Sequence, residues 1–368
     1  MLAGRVDIHR AHDIIRASKS ASEQSEHMRL ISFLYGDTIP RVGVQISDIL
    51  IDLSAGAPLV FESLIDVHWQ LLDILGGEPD GMGLDGAAEI AAAVLDQLDI
   101  GDADDQDALE SAAMQARGGP ISIGGAEMVL PLQSVHLLAP LPRPSSLRDF
   151  YAFEQHVASA ARIRGRSVPL VWYEIPTFYF GNHQAIYAPD EAILLPRTAA
   201  LDYELEIACV IGRAGRDIPE EDAEDYIAGY MIMNDWSARD LQLQEMAIGL
   251  GPAKGKDFAT SLGPALVTPD ELAAQALSDG RYNLTMVARV NGVERSRGNF
   301  RDIYYTFAQM IAYASRDTTL LAGDVLGSGT VGGGCLLELT EGTGPWLAAG
   351  DEVELEISGL GVLRNRIV

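Results

Sequence analysis

The sequence predicts a β-rich α+β protein, with a smaller α/β portion over residues 1–140 and a larger β-rich portion over residues 141–368. Three observations carry that prediction. Beyond residue 145, short runs with strand character recur between turns, and residues 351–357 alternate cleanly. Residues 284–290 and 293–297 flank Asn291-Gly292, a strong two-residue hairpin signal. Pro140, Pro142 and Pro144 make a stiff extended segment that separates the two portions.

The elements follow in order. Residues 1–28 read as a polar, weakly ordered lead with helical character. Residues 30–34, 42–44 and 49–53 read as a short β unit with a turn at Tyr35, Gly36 and Asp37. Helical patterns follow over 60–75 and 87–98. Residues 101–110 are rich in aspartate but lack the central glycine and terminal glutamate of a calcium loop, so they read as a solvated acidic loop. Gly118-Gly119-Pro120 breaks the chain, and residues 128–130 and 135–138 are strand-like. Ser145 or Ser146 is placed to cap a helix over residues 147–163. On that helix Asp149 and His156, seven apart, share a face. The aromatic stretch from Trp172 to Asn182 reads as a pocket wall, residues 251–261 as a glycine-rich loop, and residues 303–314 as a late helix.

Composition limits the function. The chain has 368 residues, 48% of them hydrophobic, and a formal net charge of −27. That charge repels nucleic acid and anionic lipid, so neither is expected as a partner. An anionic substrate then needs a local basic pocket or a metal. The two cysteines, Cys209 and Cys335, sit in apolar runs and read as reduced core residues, too few by themselves for a zinc site. No apolar run approaches a membrane span and the N-terminus lacks a signal peptide's apolar core, so the expected location is cytoplasmic.

Against that acidic background one stretch stands out. Alternation from Tyr203 to Ile207 is that of a half-buried strand, which puts Glu204 and Glu206 on one face, about 7 Å apart at their backbones. A second apolar run, residues 227–233, ends in Asn234-Asp235, where a strand gives way to a turn. Like charges on one apolar face are costly unless a cation neutralises them. Three carboxylates on two strands therefore suggest Mg²⁺ or Ca²⁺ with oxygen ligands, against the plainer reading of surface acids. Gly327-Ser328-Gly329-Thr330-Val331-Gly332 matches the letters of a dinucleotide loop, but residues 335–339 read as a strand where that motif needs a helix, so the glycines instead serve a close approach.

His156 reads either as a satisfied, partly buried histidine or as a general base for water, and Glu338, inside an apolar run, is the candidate carboxylate to orient it. Arg239 and Lys256 lie among acids. Each is either an ion-pair partner or, functionally, a support for substrate carboxylate or metal ligands (Arg239) and for developing negative charge (Lys256). Gln242 and Thr330 can add hydrogen bonds.

Together these pieces resemble the fumarylacetoacetate hydrolase family. The matching residues are Arg148-Asp149-Phe150-Tyr151 with Gln155-His156; Leu201-Asp202-Tyr203-Glu204-Leu205-Glu206; Met233-Asn234-Asp235-Trp236-Ser237-Ala238-Arg239-Asp240; Leu250-Gly251-Pro252 with Gly255-Lys256; and Gly327-Ser328-Gly329-Thr330. The resemblance covers about residues 140–368 and implies a mixed β-roll catalytic domain over 141–368 behind a variable N-terminal domain over 1–140. It implies that Asp149, Glu204, Glu206 and Asp235 hold a divalent cation, Mg²⁺ first, with Ca²⁺ or Mn²⁺ as alternatives. Lys256 and Thr260 fall at a second, neighbouring cation site. His156 becomes the catalytic base, Glu338 its orienter, and Tyr151, Tyr179, Arg239, Gln242 and Thr330 the substrate wall. A homodimer is implied as well.

Three positions depart from the family pattern. An arginine follows the histidine in the best-known hydrolases; Arg162, Arg164 and Arg166 all stand near that place. Met246 stands where those enzymes have a tyrosine, and Ser159 where decarboxylase and tautomerase relatives put a glutamate. The expected activity is hydrolysis of a carbon–carbon bond in a 1,3-diketo acid, an acylpyruvate or fumarylacetoacetate-like compound, with His156 activating water and Lys256 and Gln242 stabilising charge. The alternative is a metal-dependent decarboxylase, tautomerase or hydratase acting on a 2-keto acid of oxaloacetate or 2-hydroxydienoate type. A non-catalytic metal-binding protein is the third reading.

Overall fold

Leu205–Ile211 is a strand with every residue buried, and the architecture extends outward from it. The structure, a computed structural model, describes residues 27–36, 39–61, 69–76, 83–100 and 106–368. The half-buried strand expected from Tyr203 onward begins at Leu205 and is covered on both faces, because packed layers lie on either side of its sheet. Ile227–Asp235 and Asp324–Gly327 flank it, both antiparallel. Ser146–Phe150 runs parallel to Asp324–Gly327, and Phe178–Phe180 closes that side. On the other side Thr260–Val267 joins Ile227–Asp235 to Arg29–Leu34, and Arg41–Ile46, Ile49–Asp52, Ala126–Pro131 and Ile121–Ile123 continue the sheet. One sheet, 13-stranded among the described residues, thus takes strands from both sides of the proline segment.

A five-stranded sheet packs on one face of this large sheet, built on the hairpin Thr285–Val290 and Val293–Asn299. Asn291 and Gly292 have φ of 53° and 74°, the left-handed pair that an Asn-Gly turn supplies at low cost. Glu352–Ile357 alternates as its sequence predicts. The helices Gly83–Asp96 and Gln106–Ala116 cover the other face.

Parity along the strands sorts the two cores. Leu147, Ala208, Val210, Met231, Met233 and Val325 face the helical side, whereas Phe150, Ile207, Cys209, Tyr230, Ile232 and Leu326 face the five-stranded sheet. Asp149, Glu206 and Asp235 carry the first parity. They continue the helical-side face at one end of the sheet, where the apolar layer stops.

Several elements differ from their sequence reading. The helix expected over 147–163 is two elements, the strand Ser146–Phe150 and the helix Glu154–Ile163. Pairing on both sides of Ser146–Phe150 outweighs its helical pattern, so Asp149 and His156 do not share a helix face. Residues 335–339 are not a strand: Leu336–Leu339 is one turn of helix, because the Asp202 carboxylate accepts from the backbone N–H groups of Leu336 and Leu337. The late helix is shorter, Phe307–Ala314, and starts at a Thr306–Gln309 capping box. The pattern over 60–75 yields Leu71–Leu75, with residues 62–68 outside the described residues; the pattern over 87–98 starts one turn earlier, at Gly83. The acidic stretch is helical from Gln106, and its first residues, like 1–26 and Asp37, lie outside the described residues. Cys209 and Cys335 are buried and unpaired. No helix among the described residues is long and apolar enough to cross a membrane.

Candidate active site

Strand register brings four carboxylates together. Leu205 faces Asn234 across the sheet, so Glu204 and Asp235 meet at the adjoining position, and Gly327 sits between Ala208 and Asp149. Oxygen atoms of Asp149, Glu204, Glu206 and Asp235 lie within 4.8 Å of one another, and all four residues are buried. Gly327 makes room for this. A Cβ there would fall 2.5 Å from Met233 Cε and 2.7 Å from Asp149 Oδ1.

The charges do not balance. Counting Asp202, five buried carboxylates face two buried cations, Lys256 and Arg239. Lys256 donates to Glu204 and, at 2.5 Å, to Asp235 Oδ2. Arg239 contacts Asp202 Oδ2 and Glu204 Oε1, each at 2.8 Å. Tyr179 donates to Asp235 at 2.5 Å, while Gly329 N–H and Thr330 Oγ1 donate to Glu206 at 3.0 and 3.4 Å. Asp149 Oδ1 has no hydrogen-bond partner. An orphaned buried carboxylate oxygen, an excess of negative charge and an all-oxygen donor set fit a hard divalent cation held by Asp149, Glu204, Glu206 and Asp235.

The titration behaviour has the same origin. Burial, with Asp235 close by, holds the Asp149 carboxyl well above the usual carboxylate range; burial and the charge of Asp149 do the same for Glu206. Burial would also raise Glu204, but Lys256 and Arg239 outweigh it and hold Glu204 low. Lys256 is itself pushed upward by Asp235 and Glu204 against the effect of burial. Its ammonium is thus an ion-pair partner of both Glu204 and Asp235. Thr260 is buried opposite Asp235, but among the described contacts its side chain bonds none of the four carboxylates.

His156 and Glu338 make a second polar group. His156 Nδ1 lies 2.5 Å from Glu338 Oε1, and both side chains are buried. His156 comes from the Glu154–Ile163 helix and Glu338 from the one-turn helix Leu336–Leu339. Asp202 connects the halves of the site: it anchors that turn through Leu336 N and Leu337 N and holds the Arg239 guanidinium that bonds Glu204. The sequence reading gave Asp202 no role. Its signal was there, since Asp202, Glu204 and Glu206 keep one parity.

A cavity of about 380 Å³ joins these groups. Tyr151, His156, Tyr179, Arg239, Gln242, Lys256 and Thr330 all line it, with Asp149, Glu204 and Glu206 at its base. Burial pushes the Tyr151 hydroxyl up to about 12, so it remains a donor at neutral pH. Of the three arginines, Arg164 reaches this cavity, Arg162 pairs with Glu341 outside it, and Arg166 lines an adjoining hollow. Met246 is on the wall. Thr177, Phe178 and Tyr179 form the expected aromatic side, while Trp172 is core.

Known proteins match this arrangement. Residues 146–368 fit the model of the fumarylacetoacetate (FAA) hydrolase C-terminal family. The oxaloacetate tautomerase YisK of Bacillus subtilis is 33% identical over 246 residues, 64% of this chain and 74% of that protein. The human mitochondrial oxaloacetate tautomerase FAHD2A is 33% identical over 243 residues, 65% of this chain and 72% of that protein. The rice fumarylacetoacetase is 31% identical over 287 residues, 62% and 66% of the two chains. The fumarylacetoacetate hydrolase of Exiguobacterium antarcticum shares the fold at a TM-score of 0.61 and 24% identity, covering 92% of this chain and 99% of that one. The 2-hydroxyhepta-2,4-diene-1,7-dioate isomerase of Mycobacterium marinum does so at 0.58 and 22%, covering 93% and 98%. The chain is thus an enzyme-class α+β protein of β-rich, mixed-sheet type. It belongs to the fumarylacetoacetate hydrolase family.

Two predictions follow from the carboxylate cluster. A carboxyl whose pKa is raised by folding binds its proton more tightly in the native state, so its stabilisation is complete below the unfolded value of about 4 and is lost as pH rises through the native value. With chelator, the midpoint of thermal unfolding falls as pH rises from about 5 towards 8; Mg²⁺ removes most of that fall and adds about 2.7 kcal/mol at a hundredfold excess over its Kd. A pH-independent midpoint in chelator refutes this. Gly327→Ala displaces Asp149, costs about 1–3 kcal/mol by overpacking, and loses the Mg²⁺-dependent gain in urea unfolding, whereas retention of that gain contradicts the placement.

Proposed function

We propose that this chain is a metal-dependent enzyme of 2-keto acid chemistry that moves a proton at the carbon next to the keto group, with oxaloacetate-type keto–enol tautomerisation as its reaction. The observation that carries the reading is the His156–Glu338 contact at 2.5 Å, with His156 lining the cavity that Asp149, Glu204 and Glu206 also line. A cation held by Asp149, Glu204, Glu206 and Asp235 would supply Lewis-acid polarisation of the keto oxygen.

The chain's own groups do the rest. Glu338 holds Nδ1 of His156, which leaves Nε2 to take the proton from the substrate carbon. The imidazolium, paired with Glu338, then returns that proton to the enolate oxygen. Lys256 and the Tyr151 hydroxyl supply positive charge and a donor hydrogen where negative charge grows. Arg164 faces the same space and supports a substrate with a second carboxylate, which the overall charge of −27 would otherwise repel. The relatives named oxaloacetate tautomerases, at 33% identity, support this reading over the hydrolytic one. We place the enzyme in the cytoplasm as a homodimer using Mg²⁺. The exposed apolar side chains of Leu243, Ile248 and Leu250 near the cavity support a subunit contact.

Hydrolytic cleavage of an acylpyruvate is the second reading. Gln242 and Lys256 together on the cavity wall favour it, since both can donate to an oxyanion, and the rice fumarylacetoacetase is 31% identical. There His156 would take a proton from water, the hydroxide oxygen would add to the carbonyl, and the carbon–carbon bond would break to leave a carboxylic acid and an enolate, which takes the proton back from the His156 imidazolium.

A panel of oxaloacetate, acylpyruvates and 2-hydroxydienoates, followed by loss of enol absorbance and by pyruvate release, separates the two. Enol–keto interconversion of oxaloacetate faster than in buffer is expected, and His156→Ala lowers it by about 10²–10⁴-fold while leaving Mg²⁺-dependent thermal stabilisation intact. Equal rates in the variant and the parent would refute the role of His156. Pyruvate release from acylpyruvates alone would favour hydrolysis.

A further inference from the structure

Cys335 has no part in the chemistry above, yet it stands beside the base. Its sulfur is 3.8 Å from Glu338 Oε1, the oxygen that meets His156 Nδ1 at 2.5 Å. One ligand atom from each of His156, Cys335 and Glu338 lies within 4.8 Å of the other two, and all three side chains are buried. Cys209, the other cysteine, belongs to no such group among the described residues.

The donor chemistry differs from that of the carboxylate cluster. An imidazole nitrogen, a sulfur and one carboxylate oxygen form the mixture that zinc and cobalt accept in four-coordinate sites with one open position. Bonds of about 2.0–2.3 Å in a tetrahedron set the ligand atoms roughly 3.3–3.7 Å apart. The sulfur–oxygen separation is already close to that, and the nitrogen–oxygen pair must open by roughly 0.8 Å. His156 borders the cavity, and its Nδ1 meets Glu338.

We infer that Cys335, His156 and Glu338 form a second metal site, separate from the carboxylate cluster, which takes a thiophilic divalent cation such as Zn²⁺ and switches the base off. On binding, the thiol proton leaves to solvent and metal–sulfur, metal–nitrogen and metal–oxygen bonds form. The Nδ1 proton of the neutral imidazole moves to Nε2. With Nε2 protonated, His156 cannot accept a proton from substrate. The loss of activity rests on the function proposed above; the binding does not. Mg²⁺ prefers oxygen ligands and keeps its waters, so it does not compete for this site.

Titrating the Mg²⁺-saturated protein with Co²⁺ reads the site without any turnover. The expected result is one equivalent of Co²⁺ bound with a near-ultraviolet sulfur-to-cobalt charge-transfer absorption, which four carboxylates cannot produce. Cys335→Ser abolishes that absorption and binds Co²⁺ at least about tenfold more weakly. Zn²⁺ inhibits the Mg²⁺-loaded parent, chelation of the Zn²⁺ followed by fresh Mg²⁺ reverses it, and Cys335→Ser resists. Absence of the charge-transfer absorption in the parent chain overturns the proposal, and because that measurement uses the unaltered protein, a variant that fails to fold does not shelter it. Equal Zn²⁺ inhibition of parent and Cys335→Ser also overturns it. Charge-transfer absorption with no turnover on the substrate panel would sink the functional reading and leave the metal site standing.

Discussion

Uncompensated negative charge at one end of a sheet is the constraint on which the rest of this molecule depends. Asp149, Glu204, Glu206 and Asp235 converge where water is excluded, and Lys256 and Arg239 cover only part of their charge. Such an arrangement is expensive in the folded chain unless protons or a cation share it. The elevated carboxyl pKa values of Asp149 and Glu206 record the proton solution, and the orphaned Asp149 oxygen marks where a cation improves on it. Burying the cluster has a functional consequence. Low dielectric strengthens whatever field the site exerts on a bound molecule.

Asp202 makes a single unit of the carboxylate cluster and the His156–Glu338 pair. Its oxygens accept from two backbone N–H groups at the start of the Leu336–Leu339 turn and from Arg239, whose other nitrogen holds Glu204. A shift of the Glu338 turn is therefore felt at Glu204 through one carboxylate and one guanidinium. Planar guanidinium geometry suits this bridging, because its nitrogens diverge at fixed angles towards two acids. Cys335 occupies the residue just before that turn, which is why a thiol ends up beside Glu338, the partner of His156.

Much of the site was readable before any fold. The strings from Leu201 to Glu206 and from Met233 to Asp240 contain Glu204, Glu206 and Arg239, which with His156 and Lys256 line one cavity. The hairpin at Asn291-Gly292 was equally legible, since its turn requires backbone angles that few residues tolerate. Less legible was the segment around Asp149. Its apolar spacing suits a helix, and only pairing with Asp324–Gly327 and Phe178–Phe180, residues distant in the chain, makes it a strand. The turn carrying Glu338 was misread for a related reason: its N–H groups are satisfied by Asp202, 134 and 135 residues away.

By itself the sequence determined which chemistry is available: acids in strand register, an imidazole, a buried ammonium and an apolar frame to enclose them. Local periodicity and turn geometry are properties of neighbouring residues, so they can be read from order alone. What only the tertiary structure decided was adjacency. It showed that Gly327 lacks a side chain so that Asp149 can fit, that Arg164 rather than Arg162 reaches the cavity, and that a cysteine stands beside the partner of His156. Those facts depend on strand order and on packing across hundreds of residues, which no local pattern encodes.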